Sequence, residues 1–375
     1  MYTVEMLPAD EGDALWIGYG TDPIRRVLID CGRKTAYRAV ADRLDDERAL
    51  KFELFVLTHV DADHIAGAIP LLQDQRFGPD RVGDVWFNGW RHLNGQHLDD
   101  DANVRVLGAR QGEFFGAVLR DRGYPWNRKF SGFGVVVDDV GEFPRIELEG
   151  GMVLTVLGPT RDKLNEMRDR WESDLTSTDP SKHVEPGDYE RALELLGRDR
   201  LHGPDVLSAG HEGPIIVEEL AEVPFDPDGS EPNGSSISFL AEFDGKSVLF
   251  AGDALAPQLA ASIQHLIKSR GLRSKLPIDA LKMSHHGSAR NNSYELLKLL
   301  DCRRYLISTD GSRHHHPDPE TLARVLTLSE NQIEFYFNYK SDESLAWDDS
   351  ILRAKYSYDA HYPQGESGLK VTISG

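Results

Sequence analysis

The residues with the clearest capacity for chemistry lie in one short loop, Thr58-His59-Val60-Asp61-Ala62-Asp63-His64. It contains two imidazoles and two acidic side chains, which supply the nitrogen and oxygen ligands that divalent metals take in proteins. The loop follows the apolar segment Leu54–Leu57, which is typical of a buried strand. A solvated acidic loop with incidental histidines is the alternative. The spacing His-x-Asp-x-Asp-His favours a metal site, because this combination rarely arises by chance.

Two later segments also end in side chains that can bind a metal. The segment Val248–Asp253 is apolar until its last residue, a carboxylate preceded by Gly252. Another apolar segment begins at Ala280 and leads into Ser284-His285-His286-Gly287, which supplies two imidazoles. Three strand ends that offer ligands from one edge of a sheet indicate a shared metal centre.

The elements that must position these residues follow an α/β pattern. Short strands are predicted at Tyr2–Leu7, Asp13–Tyr19 and Arg26–Asp30, and a meander is the simplest arrangement of the three. Apolar residues at helical spacing predict a helix over 34–50, and helical spacing resumes over 65–74 after the polar loop. This order predicts an α/β (α+β) fold whose functional residues lie on loops at strand ends.

The second half of the chain continues the alternation of strands and helices. Ser236–Phe243 and Lys246–Phe250 flank Asp244-Gly245, and a two-residue Asp-Gly loop between apolar strands predicts a hairpin. Helices are predicted over 257–270 and 293–300. The catalytic edge of the sheet should therefore be built from both halves of the chain.

We expect a single domain over residues 1–375 with an insertion or lid at about 88–231. Residues 88–145 mix aromatic, glycine and charged residues without clear periodicity. Within the insertion, 160–210 is the most helical part and is highly charged. A surface for a protein partner is one expected role for this segment.

Four motifs resemble those of the metallo-β-lactamase-fold hydrolases, and most closely those of the hydrolase domain of the ComEC/Rec2 DNA-uptake proteins. They are Thr-His-x-Asp-x-Asp-His at 58–64, Leu-Phe-Ala-Gly-Asp at 249–253, Leu-Lys-x-Ser-His-His-Gly-Ser at 281–288, and the loop from Ser308-Thr309-Asp310-Gly311 to His316-Pro317. The resemblance covers 1–87 and 232–325 in outline. It implies an αββα sandwich with a site for one or two metal ions at the loop ends of the sheets.

The resemblance also implies a ligand set for one or two divalent ions, Zn²⁺, Mn²⁺ or Mg²⁺. The set is His59 and Asp61 for one ion, Asp63 and His64 for the other, Asp253 as a bridge, and either His285 or His286 to complete the second site. Asp61 stands where the family more often has histidine, so the first site is richer in oxygen and shifts preference toward Mn²⁺ or Mg²⁺. The family's third-motif histidine is not evident at 233–236. His211 could replace it, although a lone loop histidine is more often structural.

The mechanism that the resemblance implies is hydrolysis. Divalent cations would lower the pKa of a bound water, and the resulting hydroxide would attack phosphorus or a carbonyl carbon. Asp63 would bind metal and orient that water. His316 is our candidate for the acid that protonates the leaving group, with a surface-loop role as the alternative. For His314 and His315 we favour the surface role.

Composition limits the classes of partner. The 42 Lys and Arg residues against 62 Asp and Glu residues give a formal net charge of -20, so a broad basic surface for non-specific nucleic-acid binding is not expected. A local basic groove, or cations bound to carboxylates, stays compatible with this charge. Cys31 and Cys302 are the only cysteines, too few for a disulfide framework or a four-thiolate zinc site. No apolar run approaches the roughly 20 residues that span a bilayer, and no secretion signal is visible, so we expect a cytoplasmic protein without membrane association.

These observations favour a metal-dependent hydrolase, with a phosphodiesterase or nuclease acting on a nucleic acid or nucleotide as the leading hypothesis. Paired cations suit displacement at phosphorus. Hydrolysis of a carboxylic ester, a thioester or another small molecule is the second hypothesis, because a fold does not dictate a reaction. A partner-binding subunit of a larger complex is the third.

Overall fold

The computed structural model describes residues 1–46, 51–97, 114–138, 141–176 and 214–374. Most of the charged segment predicted at 160–210 lies outside these ranges, as does His211. Among the described residues, no helix combines the length and the apolar character needed to cross a membrane.

The strands form two large sheets and one short parallel pair. In chain order they are β1 (Tyr2–Met6), β2 (Leu15–Tyr19), β3 (Arg25–Ile29), β4 (Phe52–Val56), β5 (Val85–Trp86), β6 (Arg145–Glu147), β7 (Val153–Gly158), β8 (Ser238–Phe243), β9 (Lys246–Phe250), β10 (Leu276–Pro277), β11 (Ala280–Lys282), β12 (Leu300–Asp301), β13 (Arg304–Ile307), β14 (Ile333–Phe337), β15 (Tyr358–His361) and β16 (Leu369–Ser374). The first sheet has the order β16-β1-β2-β3-β4-β5, and the second has the order β15-β14-β13-β11-β9-β8-β7-β6. The short pair is β10 with β12.

The α-helices alternate with the strands along the chain. In chain order the described ones are α1 (Tyr37–Asp46), α2 (Ala62–Ile65), α3 (Ala68–Gln73), α4 (Trp90–Leu93), α5 (Phe114–Asp121), α6 (Arg161–Thr176), α7 (Val217–Ala221), α8 (Glu231–Gly234), α9 (Ala256–Ser269), α10 (Tyr294–Leu297), α11 (Pro319–Leu328), α12 (Asp342–Leu345) and α13 (Ser350–Tyr356). Single 3₁₀ turns lie at Lys34–Ala36, Gln75–Phe77, Pro79–Arg81, Arg128–Phe130 and Ser284–Gly287.

The predicted meander and hairpin are confirmed. Strands β1, β2 and β3 pair antiparallel in sequence order, and β3 then pairs parallel with β4. Strands β8 and β9 pair antiparallel around Asp244 and Gly245, whose φ angles are +51° and +72°. Two successive positive φ angles are the backbone of the turn whose twist matches that of antiparallel strands, and glycine adopts them without steric cost.

Three apolar layers hold the sandwich together. Residues such as Val4 and Ile17 of the first sheet and Phe239 of the second pack between the sheets. A second layer lies between the first sheet and helices α1 and α3, and a third lies between the second sheet and helices α9 and α11. Strand faces that are buried on both sides explain the near-continuous apolar runs in the sequence. The predicted αββα architecture is confirmed.

Two predicted helices are shorter than the sequence pattern indicated. The helix predicted over 65–74 is two short helices, α2 and α3, that meet at Gly67. A Cβ atom on Gly67 would lie 2.1 Å from the carbonyl oxygen of Cys31. The helical pattern is therefore interrupted where the backbone of Gly67 contacts that of Cys31. The helix predicted over 293–300 ends at Leu297, because Leu300 and Asp301 pair with β10 instead.

The described part of the predicted insertion packs against the sandwich at several places, and two of its strands extend the second sheet. Strands β6 and β7 fall within 88–231 and pair antiparallel with each other, and β7 pairs with β8 at the edge of the second sheet. Helix α6 follows β7 directly and contacts α4 and α8. The described start of the charged segment therefore packs against the core.

Candidate metal centre

The candidate ligands lie on loops at one edge of the two sheets. Asp30 follows β3, the His59 loop follows β4, Asp253 follows β9, and the His285-His286 turn follows β11. The loops of the two sheets also touch through their backbones, because the N–H of Ile237 donates to the carbonyl of Thr58. Residues that are far apart in sequence therefore share one small space.

Four imidazoles converge on one carboxylate oxygen. Asp253 Oδ2 lies 3.4 Å from the Nε2 atom of His64, 3.7 Å from that of His59, and 3.8 Å from those of His285 and His286. Asp253 is almost completely buried. The loop that carries it needs Gly252, whose φ is +53° and whose added Cβ would lie 2.4 Å from Ser236 Oγ.

Three groups of described side chains bring their ligand atoms within 4.8 Å of one another. They are His59, His64 and Asp253; Asp63, His64 and His286; and Asp13, Asp30 and His64. In the second group His286 Nε2 lies 3.3 Å from Asp63 Oδ2. The geometry thus places His64 in all three groups, and it brings His286 rather than His285 into the group of Asp63.

Asp61 lies beside His59 at the edge of this cluster. Its Oδ2 atom is 3.3 Å from His59 Nε2, and its Oδ1 atom is buried without a hydrogen-bond partner among the described residues. Burial raises the pKa of Asp61, although His59 opposes the shift. A cation would replace the solvation that this carboxylate lacks.

The chemistry of the donors fits a cation. The Nε2 atoms of His59, His64 and His286 are buried, and none has a hydrogen-bond partner in the described part of the chain. Leaving a buried polar atom unsatisfied costs about 1–3 kcal/mol, so three such atoms around one carboxylate indicate a missing partner. One or two divalent metal ions bound within the cluster would satisfy these atoms.

The other ring nitrogen of each imidazole is held in place. The contacts from the Nδ1 atoms are His59 to Thr58 Oγ1 at 3.0 Å, His64 to Asp30 Oδ2 at 2.8 Å, His286 to the Ser308 carbonyl at 2.8 Å, and His285 to Asn291 Oδ1 at 3.0 Å. A partner on Nδ1 directs Nε2 toward the space around Asp253 and fixes the ring orientation.

Sequence reasoning did not identify Asp30, Asp13 or Lys282. Asp30 Oδ2 accepts from Thr58 Oγ1 at 2.7 Å as well as contacting His64, so one carboxylate orients two adjacent parts of the loop. Its position at the end of a predicted strand, like that of Asp253, is the signal that could have found it. Lys282 is a charge within the apolar strand β11, and its partner Asp13 lies in a loop of the other sheet.

The electrostatics of the cluster follow from burial and mutual contact. Burial raises the pKa of Asp63, but His64 and His286 outweigh that effect and hold this pKa well below its usual value. Burial lowers the pKa of His286, whereas Asp253, Asp13 and Asp63 raise it more strongly, to about 10. Carboxylates and imidazoles thus stabilise each other's charges, so a metal ion must displace protons from the imidazoles.

The turn that follows β11 brings two successive histidines to Asp253. His285 and His286 have φ angles of +46° and +54°, in the left-handed region that residues other than glycine seldom adopt. His285 also lies near Asn233, in the segment where the third-motif histidine was not evident, with 3.4 Å between Asn233 Nδ2 and His285 Nδ1. The Asn233 amide therefore occupies part of the space beside His285 that the third-motif histidine would occupy.

His316 lies next to this cluster and is mostly buried. Its ring centroid is 5.3 Å from that of His285, and its Nδ1 atom is 3.1 Å from Asp318 Oδ1. His314 is half-buried against His316, with 5.8 Å between the ring centroids. His315 pairs with Glu343 at 2.8 Å. The ring of His316 thus packs directly against that of a candidate ligand.

Two solved structures are distantly similar to this chain. A mutant of CmlA beta-hydroxylase is 11% identical with a TM-score of 0.39, and the alignment covers 99% of this chain and 53% of that one. The chain thus spans about half the length of that protein. Zn(2+)-bound PqqB from Methylobacterium extorquens is 12% identical with a TM-score of 0.41, and the alignment covers 99% of this chain and 100% of that one. No curated protein shows significant sequence similarity to the chain.

The family comparison is more informative. The sequence profile of the Metallo-beta-lactamase superfamily matches residues 22–311. This range includes the His59 loop, Asp253 and the His285-His286 turn, and it covers well over half of the chain. The chain therefore belongs to the Metallo-beta-lactamase superfamily.

Proposed function

We propose that this protein is a metal-dependent phosphodiesterase or nuclease. The observation that carries the proposal is the set of three buried, unpartnered Nε2 atoms around Asp253, with Asp63 beside them. Two overlapping ligand groups can place two cations close together, and paired cations suit displacement at phosphorus. The motif resemblance to ComEC/Rec2-type hydrolase domains supports the same chemistry.

The residues divide into two sets that would hold the ions. His59, Asp61 and Asp253 would hold one ion, and Asp63, His64 and His286 would hold the other, with Asp253 between them. His285 lies 3.8 Å from the shared Asp253 oxygen and is the further imidazole within reach of the first set. When bound, such ions stabilise negative charge on a phosphoryl oxygen and lower the pKa of a coordinated water.

The side chains supply positioning and proton transfer. Asp63 Oδ2 lies 3.3 Å from His286 Nε2, and it would accept a hydrogen bond from the attacking water and orient it. The His316 Nδ1 atom contacts Asp318, so its Nε2 atom is the one free to donate a proton to the leaving oxygen. Asp318 also accepts from the N–H of Ala289 at 2.7 Å, which ties the His316 loop to the loop that follows β11.

The net charge of the chain favours a small substrate or a short oligonucleotide. The net charge of -20 opposes binding of a long polyanion over a wide surface. A nucleotide, a strand end or a short oligonucleotide would need to reach only the cations at Asp253. Delivery of a longer nucleic acid by a protein partner, bound through the charged segment at 160–210, is part of the proposal.

The donor set supports a preference among metals. Asp61, Asp63 and Asp253 contribute carboxylate oxygens beside the imidazoles, and an oxygen-rich set favours Mn²⁺ or Mg²⁺ more than a set of imidazoles alone would. Zn²⁺ remains a suitable ion for the set with His64 and His286. We expect the two positions to differ in affinity.

Turnover of bis-p-nitrophenyl phosphate and of labelled single- and double-stranded oligonucleotides tests the proposal. The purified chain is assayed with Mn²⁺, Mg²⁺, Zn²⁺ or EDTA, alongside Asp63→Ala. Glu330→Ala is the matched control, because Glu330 is exposed and remote from the cluster. We expect metal-dependent cleavage that is lost in Asp63→Ala and retained in the control.

The contrary result is equally clear. A protein that binds metal yet cleaves none of these phosphodiesters, while hydrolysing a carboxylic ester or a thioester, would replace the phosphodiesterase proposal with the ester-hydrolase hypothesis. Metal-independent cleavage that persists in Asp63→Ala would assign the activity to a contaminant.

A further inference from the structure

A cavity separate from the candidate metal centre lies beside the loop that carries His316. It has a volume of about 360 Å³ and is bounded by the segment after α7, the start of α11, the helix α12, and Ala289 with Arg290. Ligand sites for small molecules commonly have volumes of about 300–1,000 Å³. None of the candidate metal ligands lines this cavity, so it is a separate place in the fold.

The walls of the cavity are largely apolar. The apolar lining residues are Ile215, Val223, Pro224, Ala289, Pro317, Pro319, Ala346 and Trp347. Val223 is 41% exposed, and Ile216 and Leu345, neighbours of lining residues, are 42% exposed. These are three of the few large apolar side chains that the described part of the chain leaves exposed. The mouth of the cavity is therefore an apolar patch as well as a depression.

The same walls carry an excess of negative charge. The lining carboxylates are Asp226, Asp318, Glu320, Asp342 and Glu343, and the lining guanidinium groups are Arg290 and Arg324. Five carboxylates and two guanidinium groups give a formal charge of -3. A phosphate or a carboxylate ligand would be repelled by this lining.

Most of these charged groups already have partners. Glu343 pairs with His315 at 2.8 Å, Asp318 with His316 at 3.1 Å, and Asp226 with Arg290 at 3.4 Å. The Arg324 guanidinium is buried and donates to backbone carbonyls, including that of Ala289 at 2.8 Å. The positive charges are thus committed to the protein itself.

Two carboxylates of the lining form no ion pair with the described residues, although the charge of Glu320 interacts with that of Arg324. Neither Glu320 nor Asp342 has a side-chain hydrogen bond or an ion pair with any residue in the described ranges. Both lie in the first turn of a helix, where negative charge is favourable, and this accounts for their presence without a ligand. Their position also places two carboxylates beside the apolar walls of the cavity.

We propose that this cavity binds a small organic cation, an ammonium group attached to an apolar body. The apolar walls would bury the body, and Glu320 and Asp342 would pair with the ammonium group. The proposal concerns binding and goes beyond the phosphodiesterase proposal, so neither depends on the other.

The cavity is also connected to the metal centre. Asp318 lines the cavity and contacts His316, which in turn lies against His285. A ligand that contacts Asp318 competes with His316 for that carboxylate. We therefore expect occupation of the cavity to change turnover at the metal centre, and the coupling to be reciprocal in binding.

Calorimetric titration of the full chain with 4-phenylbutylammonium tests the proposal, with 4-phenylbutanol as the uncharged probe of the same shape. We expect the ammonium probe to bind at least five-fold more tightly than the alcohol. The double variant Glu320→Gln/Asp342→Asn should weaken binding of the ammonium about three- to ten-fold, since each partly exposed ion pair contributes modestly, and should leave binding of the alcohol unchanged.

Two controls keep the result specific. Glu330→Gln/Glu366→Gln removes the same charge from exposed positions outside the cavity and should leave both affinities unchanged. Ala346→Trp fills the cavity from an exposed position on its rim and should remove binding of both probes. Equal affinity for the ammonium and the alcohol, an equal loss in the charge-matched control, or binding that survives Ala346→Trp would each overturn the proposal.

Kinetic measurements then show whether the organic cation is part of the substrate or a separate effector. If the cation is part of the substrate, the ammonium probe should compete with substrate and raise KM alone. If it is a separate effector, the probe should change kcat for bis-p-nitrophenyl phosphate. Both outcomes require the binding and selectivity described above.

Discussion

The Lys282 ammonium group lies 2.7 Å from Asp13 Oδ2, and both side chains are only 1% exposed. Lys282 also donates to the carbonyl of Met283, and Asp13 Oδ1 lies 3.5 Å from His286 Nδ1. Burial raises the pKa of Asp13, but Lys282 and His286 more than compensate and hold it well below the usual value. This ion pair joins the two sheets directly behind a candidate metal ligand.

Replacing only one partner of this pair should be strongly destabilising. Lys282→Met leaves the Asp13 carboxylate buried without its counter-ion, and such changes cost about 3–5 kcal/mol. The double variant Asp13→Asn/Lys282→Met should lose less, because it leaves no unpaired charge. Urea unfolding followed by circular dichroism gives four free energies of unfolding: those of the unchanged chain, Lys282→Met, Asp13→Asn and the double variant. A double variant as unstable as the two single variants combined would contradict a coupled pair.

Metal binding should distinguish His286 from His285. His286→Ala removes a member of the group that also contains Asp63 and His64, so we expect a loss of at least ten-fold in affinity for one ion. His285→Ala should lose less, because His285 belongs to none of the three ligand groups found among the described residues. Metal content after dialysis, measured by mass spectrometry, provides the comparison. A larger loss in His285→Ala would reverse the assignment of the two imidazoles.

Substrates with different leaving groups should reveal the role of His316. His316→Asn should slow cleavage of a dinucleotide about 100-fold or more, since an alkoxide leaving group needs a proton. Cleavage of bis-p-nitrophenyl phosphate should change much less, because nitrophenolate leaves without one. The ratio of kcat/KM values for the two substrates is the measurement. Equal losses on both substrates would indicate a positioning role instead.

Gly12 should be intolerant of any side chain. A Cβ atom there would lie 1.8 Å from the carbonyl oxygen of Asp63, so Gly12→Ala must displace the backbone of the His59 loop. We expect a loss of stability of roughly 1–3 kcal/mol or more, together with weaker metal binding. Gly229→Ala is the control, because its Cβ would meet nothing within 4 Å. Thermal melts with and without Mn²⁺ report both effects.

His92 should make stability depend on pH. Burial lowers the pKa of His92 to about 4, and the N–H of Gly89 donates to its Nδ1 atom, which therefore cannot carry a proton. In the unfolded chain this histidine binds a proton near pH 6.5. The contribution of the neutral His92 side chain to the free energy of unfolding is therefore complete above that pH. It is lost as the pH falls from 6.5 toward 4, by about 3 kcal/mol in total.

Urea unfolding between pH 7.5 and 4.5 measures this dependence. The variant His92→Gln has no imidazole to protonate, so its free energy of unfolding should fall less steeply over that interval. Identical slopes in the two proteins would assign the acid sensitivity to other groups.

The sequence by itself determined the kinds of ligand and the places where strands deliver them. The His59 loop, Asp253 and the His285-His286 turn were identifiable because a strand's end and its ligand are adjacent in the chain. The meander and the Asp244-Gly245 hairpin were predictable for the same reason, since turn chemistry and strand alternation are local properties. Helix ends were less predictable, because contacts such as that of Gly67 with Cys31 set them.

Only the tertiary structure decided how these residues meet. Asp30 reaches His64, and Asp13 reaches Lys282, because the strands that precede them lie side by side or in facing sheets, which no local pattern encodes. The same is true of His64, which belongs to all three ligand groups among the described residues, and of the direction in which each of two adjacent histidines points. Side-chain direction at a turn depends on backbone φ angles and on Nδ1 partners from distant segments. The identity of each ligand was therefore local, whereas its orientation was a property of the whole fold.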